Sequence, residues 1–249
     1  MTEIENTDDE PSDDVDRTLS RAETTVRAAG AWLAAGSLLL VVSLALHPPP
    51  SPVPAEFMAI IAENATLWTA VHWGAALALT MLVIAGLLVL TAGSRLTETW
   101  WTMSAWAVLV VGALWVSTTA VAEATTIATA AAAGDAATFE AWQLFAEGQG
   151  IGFGFLAAAL AAIAADQARS AIPITPPWGA WIGAVAAVAA VVAYVVLGAV
   201  LGIAIGAPIW LAATIVMGLW TFWFGVALAR SESPEVAAVE AGSRRPRTA

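Results

Sequence analysis

The chain has 249 residues, of which 59% are apolar and 12% are charged, and its mean hydropathy is +0.78. These values lie outside the range of soluble globular domains and indicate an integral membrane protein. The formal net charge is −11, and all nine basic residues are arginine. Because the chain is acidic and has no basic patch, nucleic acid is excluded as a partner. The absence of cysteine excludes disulfides, iron–sulfur clusters and thiol catalysis.

Six long apolar stretches follow one another along the chain, at residues 28–46, 67–92, 100–122, 143–165, 178–205 and 208–229. A helix needs about 20 residues to cross about 30 Å of hydrocarbon. The pattern predicts an all-α fold, a polytopic transmembrane bundle of six helices in contact with the lipid bilayer. An acidic run precedes the first stretch and no small-residue cleavage site follows it. We therefore expect that stretch to be a retained helix and not a signal peptide.

Charged segments flank the predicted bundle. Residues 1–23 contain nine acidic residues and two arginines without an apolar period, so we expect a disordered acidic N-terminal tail. Residues 231–249 have a similar character, and we expect a disordered C-terminal tail there. The transmembrane domain is then predicted over residues 24–230. After a proline-rich turn, the segment AEFMAIIAEN at residues 55–64 predicts a short interfacial helix.

Arginine placement predicts how the bundle is oriented. Arginines lie before the first span and after the second, fourth and sixth, at Arg17, Arg21, Arg27, Arg95, Arg169 and Arg230. The linkers at 47–66, 126–142 and 206–208 contain no arginine. Because basic loops stay on the cytoplasmic side, we predict that both termini are cytoplasmic and that the protein lies in the plasma membrane.

Ionisable residues within or beside the spans are the candidate functional residues. Each costs about 2.5–3.5 kcal/mol on insertion scales, so such residues are rare and mark functional positions. In the predicted orientation, His47, His72, Glu123 and Glu147 all fall in the outer third of the bundle. Helical spacing places Thr119 and Glu123 on one face of the third span.

Three chemistries fit these residue types. Imidazole and carboxylate together form a ligand set for zinc or another divalent transition metal. His47 and His72, on adjacent helices, are candidate axial ligands of haem. A chain of histidine and glutamate in a low dielectric is suited to proton relay. The alternative interpretation is that His72 and Glu123 form one buried structural hydrogen bond and bind no cofactor.

Glycines at intervals of four residues form small-residue faces on the fourth and fifth spans, at Gly148/Gly152, Gly150/Gly154, Gly179/Gly183 and Gly198/Gly202/Gly206. Such faces allow close helix approach. They predict packing within the bundle, a membrane-protein partner or a homo-oligomer.

The last two spans look different from the first four. They contain no charged residue and no histidine. This argues against a transporter in which both halves of the chain supply the binding site. Trp68 and Trp210 lie near the starts of their spans, where the indole ring prefers the headgroup region, and we expect them there.

The segment LHPPP…AEFMAIIAEN…LWTAVHWGAAL, which covers the first two spans, resembles uncharacterised six-span integral membrane proteins of haloarchaeal type. The acidic, lysine-free composition is similar to that of proteins from salt-loving archaea, whose carboxylates maintain solubility at high salt. The resemblance implies a six-helix membrane fold and no particular activity. We therefore predict a non-enzymatic multi-pass membrane protein with a structural, interaction or accessory role. The alternatives are a metal- or haem-binding redox or proton-handling protein and a small-solute transporter.

The predicted orientation can be tested by cysteine labelling, because the chain has no native cysteine. Ser51→Cys, in the first linker, is expected to react with a membrane-impermeant maleimide added outside intact cells. Ser170→Cys, in the arginine-containing linker after the fourth span, is expected to react only after the membrane is opened. Labelling of Ser51→Cys only from the cytoplasmic side would reverse the orientation.

Overall fold

A computed structural model of the chain describes residues 11–51, 53–203 and 205–231. Regular structure in these ranges is helical throughout, which confirms the all-α fold. The helices are α1 (Pro11–Leu46), α2 (Pro54–Glu63), α3 (Ala65–Thr91), α4 (Trp100–Ala122), α5 (Ala128–Ala133), α6 (Ala136–Gln149), α7 (Ile151–Arg169), α8 (Pro177–Val191) and α9 (Gly206–Arg230). A 3₁₀ turn at Arg95–Thr97 and two π-helical segments, Glu123–Ile127 and Val192–Val200, lie between them.

Six helical stretches within the described residues are long and apolar enough to cross a membrane. They are Arg21–Leu46, Ala65–Thr91, Trp100–Ala133, Ala136–Arg169, Pro177–Val200 and Gly206–Arg230. The protein is thus a multi-pass membrane protein, as the hydropathy pattern predicts. The membrane side on which its ends lie stays a prediction.

The six spans form a closed ring in chain order. α1 packs on α3, α3 on α4, α4 on α7, α7 on α8 and α8 on α9, and α9 returns to pack on α1. The side chain of Arg27 donates a hydrogen bond of 3.1 Å from Nε to the backbone oxygen of Ser231, which directly follows α9. The start of the first span and the end of the last therefore lie together, and the ring has an interior.

The seam that closes the ring depends on two glycines. A methyl group on Gly30 of α1 would lie 2.7 Å from the carbonyl oxygen of Gly225 of α9, and one on Gly225 would lie 2.8 Å from the oxygen of Gly30. Backbone atoms cannot move aside cheaply at such distances, so any side chain here forces the two helices apart. Sequence reasoning did not single out this pair.

Several of the predicted glycine faces are used inside the chain. Gly152 lies against Trp115 of α4, while Gly179 and Gly183 lie against indole rings of α9. Gly148 has open space around it, with no atom within 4 Å of a Cβ built there. These contacts account for three of the glycines as packing positions, and a homo-oligomer or partner at the remaining faces stays a prediction.

The third and fourth spans depart most from their predicted limits. The segment 126–142 reads as a linker in the sequence, yet helical structure runs from Trp100 to Ala133 and resumes at Ala136. Alanine-rich sequence favours helix, and Gly134 ends the first helix in the left-handed conformation with φ +67°. Asp135 then caps α6 by accepting a hydrogen bond from the Thr138 amide at 3.1 Å.

The predicted short helix after the first span is present as α2. It packs with α5, α6 and the start of α3 in a second apolar cluster, which we call the cap. The cap consists of Phe57, Ile61, Trp68, Ile127, Ala128, Ala130, Ala131, Phe139 and Ala146. Trp68 is only 1% exposed, so it is a core residue of the cap and not a headgroup anchor. We call this end of the bundle the cap end and the opposite end the arginine end.

The predicted tails are only partly described. α1 begins at Pro11, so helix extends into the segment 1–23, and residues 1–10 lie outside the described residues. Residues 232–249 of the predicted C-terminal tail also lie outside them. The domain limits at 23 and 231 stay predictions.

The glycine seam makes a prediction about stability. Gly30→Ala is expected to lower the free energy of unfolding by about 1–3 kcal/mol, because overpacking forces backbone movement. Gly148→Ala, the same change in open space, is expected to stabilise by about 0.5–1 kcal/mol through helix propensity. Thermal unfolding in one detergent compares the two variants, and equal melting temperatures would refute the tight α1–α9 seam.

Candidate functional site

A cavity of about 210 Å³ opens inside the ring, towards the cap end. It is lined by residues of all six spans, namely Leu40, Ser43, Leu44, His47, Val71, His72, Ala75, Leu79, Val116, Thr119, Ala120, Glu123, Gly150, Phe153, Leu156, Tyr194, Trp210 and Thr214. Most of this wall is hydrocarbon and aromatic. The few polar groups in it are therefore the ones that can recognise a ligand.

Glu123 is the most unusual group in the cavity wall. It is the first residue of the π segment that continues α4, and it is only 8% exposed. Its Oε2 atom has no hydrogen-bond partner among the described residues. Arg27, Arg95, Arg169 and Arg230 all lie towards the arginine end of the bundle. No described cationic side chain neutralises this carboxylate.

Trp68 connects Glu123 to the cap. Its indole lies close enough to the Glu123 carboxyl group to interact with it. Neither Trp68 Nε1 nor Glu123 Oε2, however, makes a hydrogen bond of acceptable geometry with a described residue. The Trp68 ring also contacts Phe57, at 5.4 Å between ring centroids, and both histidines. Trp68 Nε1 and Glu123 Oε2 are thus two buried polar atoms that lack a hydrogen-bond partner among the described residues.

The two histidines lie side by side at the cavity edge. The His47 and His72 ring centroids are 5.0 Å apart in an edge-to-face arrangement. His47 Nδ1 donates to the carbonyl oxygen of Pro48 at 2.6 Å, and His72 Nδ1 donates to that of Trp68 at 2.8 Å. A carbonyl oxygen can only accept, so each neutral ring carries its proton on Nδ1 and presents Nε2 as an acceptor.

The predicted structural hydrogen bond between His72 and Glu123 is not among those of the described residues. His72 Nδ1 is engaged by Trp68, and Glu123 Oε2 is left without a partner. Both residues line the cavity, but no hydrogen bond joins them among the described residues. The Glu123 Oε2 atom is therefore left without a hydrogen-bond partner among the described residues, and the Trp68 indole is the polar group beside the carboxyl group.

The fourth, fifth and sixth spans contribute an aromatic wall to the cavity. Phe153 of α7, Tyr194 of the second π segment and Trp210 of α9 contact one another, with ring centroids 5.4–5.6 Å apart. Trp210 thus lines the cavity and is not a simple headgroup anchor. The last two spans contain no charged residue, but they supply Tyr194, Trp210 and Thr214 to the cavity wall.

Local backbone irregularities position the cavity residues. Glu123 opens one π segment, and Tyr194 lies within the other. A π segment inserts an extra residue into a helical turn and re-aims its side chains, and such segments are frequent at functional sites. Gly150, at the junction of α6 and α7, leaves space for the Tyr194 hydroxyl group, which a Cβ at that position would overlap.

Glu147 does not line the cavity. It lies on α6 in a separate groove of about 450 Å³ at the cap end, together with Glu140, Gln143 and Phe139. It still interacts electrostatically with both Glu123 and Tyr194. Of the four predicted site residues, the structure thus brings His47, His72 and Glu123 to one cavity and places Glu147 in the neighbouring groove.

The geometry does not favour the metal or haem alternatives. Among the described residues, no group of three or more His, Asp or Glu side chains is arranged to hold a metal ion. The two histidine rings contact each other directly, so no porphyrin plane fits between them. The cavity is also below the volume of about 300–1,000 Å³ that is usual for larger ligands.

Sequence reasoning missed Tyr194, Trp210 and Thr214. Tyr194 is the single tyrosine of the chain and lies in the middle of an apolar stretch, which was a usable signal. The Thr214 hydroxyl group donates a hydrogen bond to the carbonyl oxygen of Trp210. Threonines in membrane helices commonly bond to their own helix, so the sequence does not distinguish Thr214 as a cavity residue.

No protein-family model, curated protein or solved structure matches the chain. The resemblance of the first two spans to haloarchaeal membrane proteins therefore stays a prediction. The fold establishes a multi-pass membrane protein, and a more specific function has to be argued from the cavity.

His47 makes a prediction about pH. Burial lowers its pKa from the ordinary value of 6.5, partly offset by the hydrogen bond to Pro48. As the pH falls, His47 is therefore protonated more readily in the unfolded chain than in the folded chain. The free energy of unfolding decreases as the pH falls below about 6.5. His47→Gln removes this loss, so its melting temperature is expected to fall less than that of the wild type between pH 7.5 and 5.5. Equal slopes for the two proteins would contradict the burial of a neutral His47, since His72 and Trp68 beside it are common to both.

Proposed function

We propose that this protein is a membrane carrier that binds a small cation in its central cavity in exchange for a proton on Glu123. One observation carries the proposal: a buried carboxyl group, whose Oε2 atom has no hydrogen-bond partner among the described residues, lies on the wall of a cavity to which all six spans contribute. Structural, interaction or accessory roles do not account for that group.

The exchange follows from charge balance. An isolated carboxylate in apolar surroundings is very unfavourable, so Glu123 is either protonated or paired with a cation. When a cation enters, the carboxylic acid releases its proton to water and the carboxylate pairs with the cation. The net charge of the cavity is the same before and after, so either state is tolerated within the bilayer.

The ring architecture supports carriage as well as binding. A site built from every span changes its access when the spans tilt, which is how carriers expose one site to each side in turn. If basic loops are cytoplasmic, the cavity opens towards the outside of the plasma membrane. The proposed activity breaks no covalent bond other than that to a proton, in agreement with the predicted non-enzymatic character.

Ligand-induced stabilisation and proton release test the proposal. Purified protein in weakly buffered detergent solution is titrated with chlorides of Na⁺, K⁺, guanidinium and tetramethylammonium at constant ionic strength. At least one cation is expected to raise the melting temperature and to lower the pH of the solution. At 100 times Kd the stabilisation corresponds to about 2.7 kcal/mol.

Isosteric variants provide the control. Glu123→Gln is expected to fold and to lose both responses, because the amide can neither release a proton nor pair with a cation. Glu98→Gln, the same change at an exposed position at the arginine end, is expected to retain both. If no cation affects the wild type, or if Glu123→Gln responds like it, the proposed function is wrong.

A further inference from the structure

We infer that the cation is a small organic ammonium ion, held between the Glu123 carboxylate and the aromatic wall of Phe153, Tyr194 and Trp210. This inference rests on the proposed function and names its ligand class. The proposed function depends on Glu123 alone. The inference adds the cluster of three rings contributed by α7, the second π segment and α9.

Aromatic rings attract cations through the negative potential of their faces. Tryptophan and tyrosine are the strongest side chains in this respect, and clusters of such rings recognise alkylated ammonium groups. In this cavity the three rings lie at mutual centroid distances of 5.4–5.6 Å and line the same space as Glu123. A cation there gains an ion pair from one wall and cation–π attraction from the other.

The cavity wall is unsuited to a bare metal ion. Hard cations require several oxygen ligands around them. Besides the Glu123 carboxylate, the side-chain oxygens in the wall are the neutral hydroxyl groups of Ser43, Thr119, Tyr194 and Thr214. Transition metals need three or more converging ligands, which the described residues do not provide. The remaining wall consists of side chains such as Leu40, Leu79 and Val116, which suit methyl groups.

The size of the cavity agrees with this class. At about 30 Å³ per water molecule, a volume of about 210 Å³ holds roughly seven waters. That space accommodates an ammonium ion carrying a few methyl groups. It is too small for the drug-sized ligands that occupy pockets of about 300–1,000 Å³.

The neighbouring groove provides an approach that favours cations. Glu140 and Glu147 line it, and Glu147 interacts electrostatically with Glu123 and with Tyr194 in the cavity wall. Carboxylates along a cleft concentrate positive ions and speed their association. A cation drawn to Glu147 thus lies next to its binding position.

Graded changes of one ring test the inference on the full-length protein. Tetramethylammonium chloride is titrated by calorimetry against the wild type, Trp210→Phe and Trp210→Leu. The cation–π contribution of one ring predicts affinity weakened by about 2- to 30-fold in Trp210→Leu, with Trp210→Phe between it and the wild type. Trp73→Leu, an equivalent change at an exposed tryptophan next to His72, is expected to bind like the wild type.

Each result has a distinct consequence. If Na⁺ or K⁺ binds through Glu123 while tetramethylammonium does not, the ligand class is wrong and the proposed function stands. If no cation binds, the proposed function itself fails. Should Trp210→Leu not fold, Trp210→Phe decides, because unchanged affinity in that variant would overturn the role of the aromatic wall.

Discussion

A buried carboxyl group that no described cationic side chain neutralises constrains the interior of this protein. The chain has no lysine, and the described arginines lie towards the arginine end of the bundle, away from the cap. Glu123 is nevertheless buried within the third span, where a charge without a partner is strongly disfavoured. The described surroundings of Glu123 are Trp68, the paired histidines and the aromatic wall. They contain dipoles and rings but no fixed positive charge. A proton or a bound cation has to supply the missing charge.

The cavity lies where regular helix packing is interrupted, towards the cap end, while α1 and α9 pack closely and close the ring. Gly30 and Gly225 allow α1 and α9 to touch through their backbones, which closes the ring. Towards the cap end, the π segments at Glu123 and Tyr194 and the break at Gly150 interrupt regular packing. Irregular helical geometry within a membrane is tolerated where it lines a cavity, since the freed polar groups find partners there. The cap then covers this end with α2, α5 and α6.

Much of the architecture follows from sequence because hydrocarbon imposes strict rules. Six spans, the short helix after the first of them and the outline of each turn are predictable from apolar length, proline and glycine. The extent of the third and fourth spans was not predictable, because alanine-rich segments such as 128–133 are compatible with either a linker or a helix. His47, His72 and Glu123 were identifiable as a group because ionisable residues are rare in spans. The glycine seam between α1 and α9 was not identifiable, since glycines with and without close neighbours look alike in sequence.

By itself the sequence determined that the chain is a helical membrane protein, where its rare ionisable residues lie and that lysine and cysteine chemistry is absent. These properties are local, because they depend on the composition and spacing of residues along one segment. Only the tertiary structure decided that no hydrogen bond joins His72 and Glu123, that Glu147 lies outside the cavity, and that Phe153, Tyr194 and Trp210 form part of its wall. Those relations depend on how far helices distant in the chain rotate against one another. That rotation is governed by close contacts such as Gly30 with Gly225, which involve residues far apart in sequence.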